Sequence, residues 1–365
     1  MKKILILTAS AGEGHNGVTR ALKKGFEEKG AEVKVVDLYT ECCQSKTKRW
    51  IMDKGYKMAC KYARPLYNAC YGAVLNKKGS KTNLKTLENL KNIIDDYKPD
   101  VVIAPHVYVA TALANFKRKY GLDALSVFVV TDYSLYPYVA DTANLDYIVL
   151  PHESMVSEFL ELGFDEEKLL PLGIPVDSGF SLYKDKGEAR SDLGLEDKFT
   201  ILVMTGGGGF GNIEKLLKQS TKVEGDYQII CLNGKDKKSF KRIEKFVKKN
   251  HLGKVMNLGF VDSVVPYMSA CDCMVGKCGA INLTESLNAW VPLICRNKLA
   301  YQELCNYEFL KDYDAIIGFR KYKELPTILT DVVKNKERLN EVKKNILKVR
   351  KLNATNDLID KILTL

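Results

Sequence analysis

Two stretches of this chain set small residues, a helix start and a polar side chain within one turn of each other. The first is Ala11-Gly12-Glu13-Gly14-His15-Asn16-Gly17, entered from Ile4-Leu5-Ile6-Leu7-Thr8-Ala9-Ser10. The second is Lys277-Cys278-Gly279-Ala280-Ile281-Asn282-Leu283-Thr284-Glu285, entered from Val275-Gly276. Each reads as an apolar strand whose closing turn opens a helix, which leaves free N–H groups at the positive end of a helix dipole. Such turns suit phosphates. His15 adds an imidazole at the helix mouth, the side chain best fitted to take a hydroxyl proton near neutral pH, and the helix start favours its neutral form. The plainer reading is a histidine that only hydrogen-bonds its loop. In the second stretch a diphosphate would rest on the N–H groups of Gly279 and Ala280. Asn282 lies one turn before Glu285, whose carboxylate could accept from ribose hydroxyls; the plainer reading of Glu285 is an ordinary helix-surface residue.

Three further motifs bear on the chemistry. Gly206-Gly207-Gly208-Gly209 follows the apolar run Ile201–Thr205 and lets backbone approach a phosphate closely. It lacks the Lys-Ser/Thr of a P-loop, which disfavours ATP hydrolysis, and a linker is the alternative. Thr131-Asp132-Tyr133 follows the run Leu125–Val130, at the carboxyl end where α/β sheets bind ligands. Asp132 there orients His15 or an acceptor hydroxyl, or else caps a turn. Gly12 to Gly17 also satisfies G-x-G-x-x-G with Asp37 twenty residues on, which by itself would argue for an NAD-dependent dehydrogenase.

The elements that must position these groups alternate short apolar runs with helical periods, the signal for parallel α/β units. Strands are expected at Lys3–Thr8, Glu32–Leu38, Asp100–Pro105, Leu125–Thr131 and Tyr147–Leu150, with helices such as Val18–Lys29 and Thr86–Tyr97. Gly173-Ile174-Pro175-Val176-Asp177 reads as a linker. A second series follows, with strands at Thr200–Thr205, Tyr227–Leu232, Lys254–Leu258, Cys271–Val275, Pro292–Cys295 and Ala315–Ile317. Its helices are Ile213–Ser220, Lys237–Asn250 and Asn282–Ala289, and the tail from Tyr322 to Leu365 is helical with Val332, Val333, Leu339, Val342, Ile346 and Val349 available for packing. Two domains are expected, 1–175 and 176–365, with the last helix a candidate to pack back on the first.

Composition narrows the partners. A length of 365 residues suits two cores, and a net charge of +11 favours anionic partners: nucleic acid, anionic lipid and nucleotide substrates all fit the sign. The ten cysteines include no C-x-x-C pair and the four histidines are scattered, so structural zinc is disfavoured and reduced, cytosolic thiols are expected. The start is read as a first strand, not a signal peptide. No stretch approaches the roughly 20 apolar residues of a membrane span. The region 44–90 interleaves Lys46, Lys48, Arg49, Lys54, Lys57 and Lys61 with Trp50 and several tyrosines. That pattern suits an anionic membrane surface, or equally a solvated helix with its aromatics in the core.

These motifs together resemble the processive diacylglycerol glucosyltransferases of bacteria and the monogalactosyldiacylglycerol synthases of plants, with a more distant likeness to the N-acetylglucosaminyltransferase that makes lipid II. The likeness covers nearly the whole chain. Leu5 to Ala9 with Gly12, Gly14 and His15 looks like the family's acceptor-side loop, and Val130-Thr131-Asp132-Tyr133 like its Thr-Asp-aromatic segment. Leu172-Gly173-Ile174-Pro175-Val176 matches the hinge, Gly206 to Gly209 the donor-side loop, and Gly259-Phe260-Val261 the loop that contacts uracil. Lys277-Cys278-Gly279-Ala280 with Asn282 and Glu285 resembles the Lys-Pro-Gly-Gly…Thr-x-x-Glu donor signature. Gln302, Glu303 and Asn306 stand where the family contacts the hexose. Cys278 and Ala280 depart from the usual proline and second glycine, and Leu299-Ala300-Tyr301 replaces the usual lead into Gln302.

The resemblance implies a GT-B fold, two Rossmann-like domains facing a central cleft, with the acceptor on the N-terminal side and a UDP-sugar on the C-terminal side. It implies an inverting transfer of a hexose to diacylglycerol or a related lipid, with His15 as base helped by Asp132. UDP-glucose, UDP-galactose and UDP-N-acetylglucosamine are all open as donors. No metal and no other cofactor is expected, no nucleic acid partner, and a cytoplasmic enzyme peripherally bound to the inner face of the membrane. A UDP-sugar epimerase of the same fold, a dehydrogenase using Gly12 to Gly17, and a non-catalytic UDP-sugar sensor remain as alternatives.

Overall fold

The computed structural model describes residues 1–9, 13–42, 78–182, 185–206 and 212–365. Lys46, Lys48, Arg49, Trp50, Lys54, Lys57 and Lys61 lie outside the described residues, as do Gly12, Gly207 and Gly208. The chain divides into two compact units. One comprises 1–178, 300–302 and 353–365; the other comprises 179–299 and 303–352.

The first unit is built on a parallel sheet. Its strands are β1 (Lys3–Thr8), β2 (Glu32–Asp37), β3 (Val101–Ala104), β4 (Leu125–Val129), β5 (Tyr147–Val149) and β6 (Leu169–Leu170), in the order β2-β1-β3-β4-β5-β6. β3 is apolar throughout and β1 is apolar from Ile4 to Leu7, and these residues are buried, as strands covered on both faces must be. The covering helices include α1 (Glu13–Glu28), α2 (Leu84–Tyr97), α3 (Val107–Tyr120) and α4 (Val156–Glu161). Leu87, Leu90, Leu113 and Phe116 from α2 and α3 join Leu5, Val102 and Phe128 in one core. α1 begins five residues before the expected start, because the glycine turn itself is helical from Glu13 onward.

The second unit repeats the plan. After α5 (Lys186–Asp192) come β7 (Phe199–Met204), α6 (Ile213–Ser220), β8 (Tyr227–Leu232), α7 (Lys237–Lys249), β9 (Val255–Leu258) and α8 (Val265–Ser269). Then follow β10 (Cys273–Gly276), α9 (Ala280–Asn288), β11 (Leu293–Arg296), α10 (Tyr301–Asp312), β12 (Ile316–Phe319), α11 (Leu325–Lys334) and α12 (Glu337–Val349). The parallel strand order is β12-β11-β10-β7-β8-β9. The final helix, α13 (Ala354–Thr364), belongs to the first unit, where Thr355 Oγ1 donates to the Val176 carbonyl at 2.6 Å. Gly25 on α1 leaves room for Ile359 of α13; a Cβ there would collide with the Ile359 side chain.

Strand order locates the switch points. β2 and β3 lie on opposite sides of β1, and β8 and β10 on opposite sides of β7. At such a reversal the loops leaving the two central strands part, opening a crevice at their carboxyl ends. In the first unit those loops carry His15 and Pro105-His106; in the second they carry Gly206 and Lys277 to Asn282.

Candidate functional site

In the first unit three loops converge on His15, which is half-buried in the first turn of α1. Its Nδ1 lies 3.0 Å from the Pro105 carbonyl, just past β3, and 2.9 Å from Thr131 Oγ1, just past β4. A carbonyl can only accept, so Nδ1 carries the proton and Nε2 holds the lone pair. This is the tautomer a general base needs. Burial lowers the His15 pKa to about 4, only partly offset by the Pro105 carbonyl. The ring is neutral at physiological pH.

Asp132 does not touch His15. Its Oδ2 accepts from Tyr136 Oη at 2.7 Å, and Tyr136 Oη stands 3.2 Å from Thr131 Oγ1. Two hydroxyls thus lie between the Asp132 carboxyl and the His15 ring. The turn after β4 causes this: it leads Asp132 to a phenol four residues on instead of to the imidazole.

Sequence reasoning missed His106. It is buried, caps α3 by accepting from the Tyr108 N–H at 3.2 Å, and meets the His15 ring edge-on with centroids 4.2 Å apart. Burial first, and His15 second, push its pKa well down. The available signal was a Pro-His pair closing a buried strand at the same sheet edge as His15. Asp37, the acid of the dinucleotide reading, accepts from the N–H groups of Tyr39 and Thr40 and so closes the turn after β2.

In the second unit Gly206 adopts φ +87°, and a Cβ on it would press on the Asn282 amide at 3.3 Å. Gly206 thus serves both a left-handed backbone and close approach to α9. Asn282 is 7% exposed, and its Nδ2 has no hydrogen-bond partner among the described residues. Gly279 caps α9 without any side-chain bond, so the first N–H groups of that helix, from Ala280 on, remain donors. Glu285 is half-buried one turn further along. The turn itself is braced from below: Asn306, fully buried on α10, donates to the Cys278 carbonyl at 3.2 Å. Asn306 thus supports this turn and is fully buried. Glu303 pairs with Lys277 at 2.7 Å. Gln302 opens α10 but falls in the first unit. Phe260, 49% exposed, and half-exposed Val261 sit in the turn after β9, where the Lys235 ammonium lies 5.4 Å from the Phe260 ring centroid.

Two doubly wound parallel units in one chain are the GT-B arrangement. Solved structures share this fold. The crystal structure of Acinetobacter baumannii MurG matches with a TM-score of 0.66 at 15% identity over 100% of both chains. That of Anabaena HepE in complex with UDP matches with 0.59 at 12% identity, also over 100% of both. Residues 15–176 match the family described as monogalactosyldiacylglycerol (MGDG) synthase, and residues 200–362 match the glycosyltransferase family 28 C-terminal domain. Both matches are to glycosyltransferase families, and the chain is a sugar-transferring enzyme. A processive diacylglycerol beta-glucosyltransferase of Bacillus pumilus is 26% identical over 368 residues, 99% of this chain and 94% of that protein. A probable chloroplastic monogalactosyldiacylglycerol synthase of Nicotiana tabacum is 26% identical over 352 residues, 91% of this chain and 64% of the relative.

Proposed function

We propose that the enzyme moves a hexose from a UDP-sugar to diacylglycerol or a closely related lipid, by single displacement with inversion. The acceptor hydroxyl gives its proton to His15 Nε2 as its oxygen attacks the anomeric carbon, and UDP leaves. The leaving diphosphate is stabilised by N–H groups at the start of α9 and by the Asn282 amide, a fixed-dipole arrangement that requires no metal. Glu285 binds the ribose, and Phe260 with Val261 faces the base. The observation that carries the reading is the His15 tautomer: its Nδ1 is committed to Pro105 and Thr131, which leaves Nε2 as a base at the carboxyl end of β1. Diacylglycerol as acceptor is supported by the relatives' printed activities. Peripheral binding to an anionic leaflet is supported by the charge of +11 and by exposed Lys78, Lys81 and Lys85. Among the described residues no helix is long and apolar enough to cross a membrane.

The test is transfer from UDP-glucose, UDP-galactose and UDP-N-acetylglucosamine to diacylglycerol in anionic vesicles, with and without EDTA, read by mass spectrometry of the extracted lipid. A lipid heavier by one or more sugars, formed equally with chelator, is expected. UDP-sugar binding with no glycolipid from any donor would overturn the acceptor assignment, and loss of transfer in EDTA would overturn the metal-free mechanism.

A further inference from the structure

We propose that Thr131 and Tyr136 are positioning residues for His15. They form a one-way hydrogen-bond chain from the imidazole Nδ1–H through the Thr131 and Tyr136 hydroxyls to the Asp132 carboxylate. The inference rests on His15 acting as the base. Chemistry at each atom fixes the direction. The Pro105 carbonyl demands a proton on His15 Nδ1, so that nitrogen has no lone pair with which to accept from Thr131. Thr131 Oγ1, 2.9 Å away, therefore accepts, and its own proton is directed to Tyr136 Oη at 3.2 Å. The Tyr136 hydroxyl donates to Asp132 Oδ2 at 2.7 Å, so Tyr136 Oη has only lone pairs left to offer Thr131. Every donor named in the chain meets an acceptor.

Burial gives the chain its force. Thr131 is 3% and Tyr136 2% exposed, so water does not compete for these bonds, and successive bonds polarise one another toward the carboxylate. When the acceptor proton arrives on Nε2, the positive charge that develops on the ring is opposed at Nδ1 by the carbonyl and the polarised hydroxyl. The chain moves no proton itself. Among the described residues, the titratable groups around His15 are His106 from the turn opening α3, and Asp132 and Tyr136 from the loop after β4. His106 is pushed toward its neutral form by burial, which leaves the carboxyl of Asp132 at the far end of the chain as the acidic group in this set. A core tyrosine that merely finds a partner for its hydroxyl would show the same burial, but its loss would leave the Nδ1 resonance and the acid limb of His15 untouched.

Thr131→Val and Tyr136→Phe remove one hydroxyl each at nearly constant shape. Each is expected to lower kcat about 10–100-fold, the rate equivalent of one hydrogen bond to a group that gains charge, with KM little changed. In each, the acid limb of kcat/KM moves down in pH as the imidazolium loses support. Nitrogen-15 NMR of labelled imidazoles supplies a readout independent of turnover: the wild type shows His15 protonated at Nδ1, and in Thr131→Val the Pro105 carbonyl keeps that tautomer while the Nδ1 resonance shifts as one of its two acceptors is lost. Thr131→Ser, which restores the hydroxyl, is expected to recover both signals. Wild-type kcat, pH profile and His15 spectrum in Thr131→Val and Tyr136→Phe would overturn the chain. Near-normal turnover of His15→Ala would instead overturn the base assignment, and the NMR result would still decide the chain.

Discussion

Two side chains make opposite demands on the fold. His15 is kept neutral by burial, with a pKa of about 4 in place of 6.5. Between those values an unfolded chain binds a proton that the folded one does not, so stability is full above pH 6.5 and falls as the pH drops toward 4. The loss is on the order of 3 kcal/mol by pH 4, at about 1.4 kcal/mol per pH unit. His106, pushed down for the same reason, adds to the same slope. Denaturant titrations at pH 7 and 4.5 are expected to show the loss, smaller in His15→Gln. The acid limb of kcat/KM should have its midpoint near 4; a midpoint near 6.5 would mean a solvated His15. Asn282 is the opposite case. Its buried Nδ2 lacks a partner among the described residues, an arrangement that costs about 1–3 kcal/mol unless a ligand supplies the acceptor. Asn282→Ala is expected to leave thermal stability unchanged or raised, and to weaken UDP binding about 10-fold, one hydrogen bond's worth. Lower stability with unaltered UDP affinity by calorimetry would make Asn282 an ordinary core residue.

At the scale of elements, the turn from β10 into α9 depends on its neighbours. Gly276 closes β10 beside β7, where a Cβ would collide with the Met204 carbonyl, a backbone atom that cannot swing aside. Cys278 lacks the ring that would lock φ as a proline there would, so the turn is not held by its own backbone. The Asn306 bond to the Cys278 carbonyl supplies restraint from another helix. Asn306→Ala is expected to cost about 1–3 kcal/mol, by leaving a buried carbonyl without its amide donor, and to raise KM for the UDP-sugar. Wild-type stability and KM in that variant would show that the turn holds its own shape. Hydrophobic pattern foretold these elements to within a few residues: Tyr227–Leu232 and Ile213–Ser220 match their expected bounds. β6 escaped notice because a two-residue strand has no period to read.

For the whole molecule, the chain returns to its first unit at the end. Leu358, Ile359 and Ile362 of α13 are buried there, and Lys2 donates to the Ile362 carbonyl. Deleting 353–365 removes three buried aliphatic side chains, each worth about 1.5–3 kcal/mol, and so should destabilise the first unit by several kcal/mol. Hydrogen exchange is expected to quicken in β1 and α1 while β7 and β10 keep their protection; uniform exchange across both units, or none, would contradict this division.

By itself the sequence determined two series of parallel α/β units, His15, Gly206, Asn282 and Glu285 as residues of interest, and a family. Those follow from local periodicity and from motifs that close within a single turn. It did not determine that His106 would lie edge-on to His15, that Asp132 would reach it only through Tyr136 and Thr131, or that Asn306 would prop Cys278 from beneath. Pro105 and His15 are 90 residues apart in sequence, and Thr131 and His15 are 116 apart. Only strand order, which sets β1 beside β3 and β3 beside β4, brings those carboxyl ends together. That order is selected by the burial of whole sheet faces, a property no short window of sequence contains.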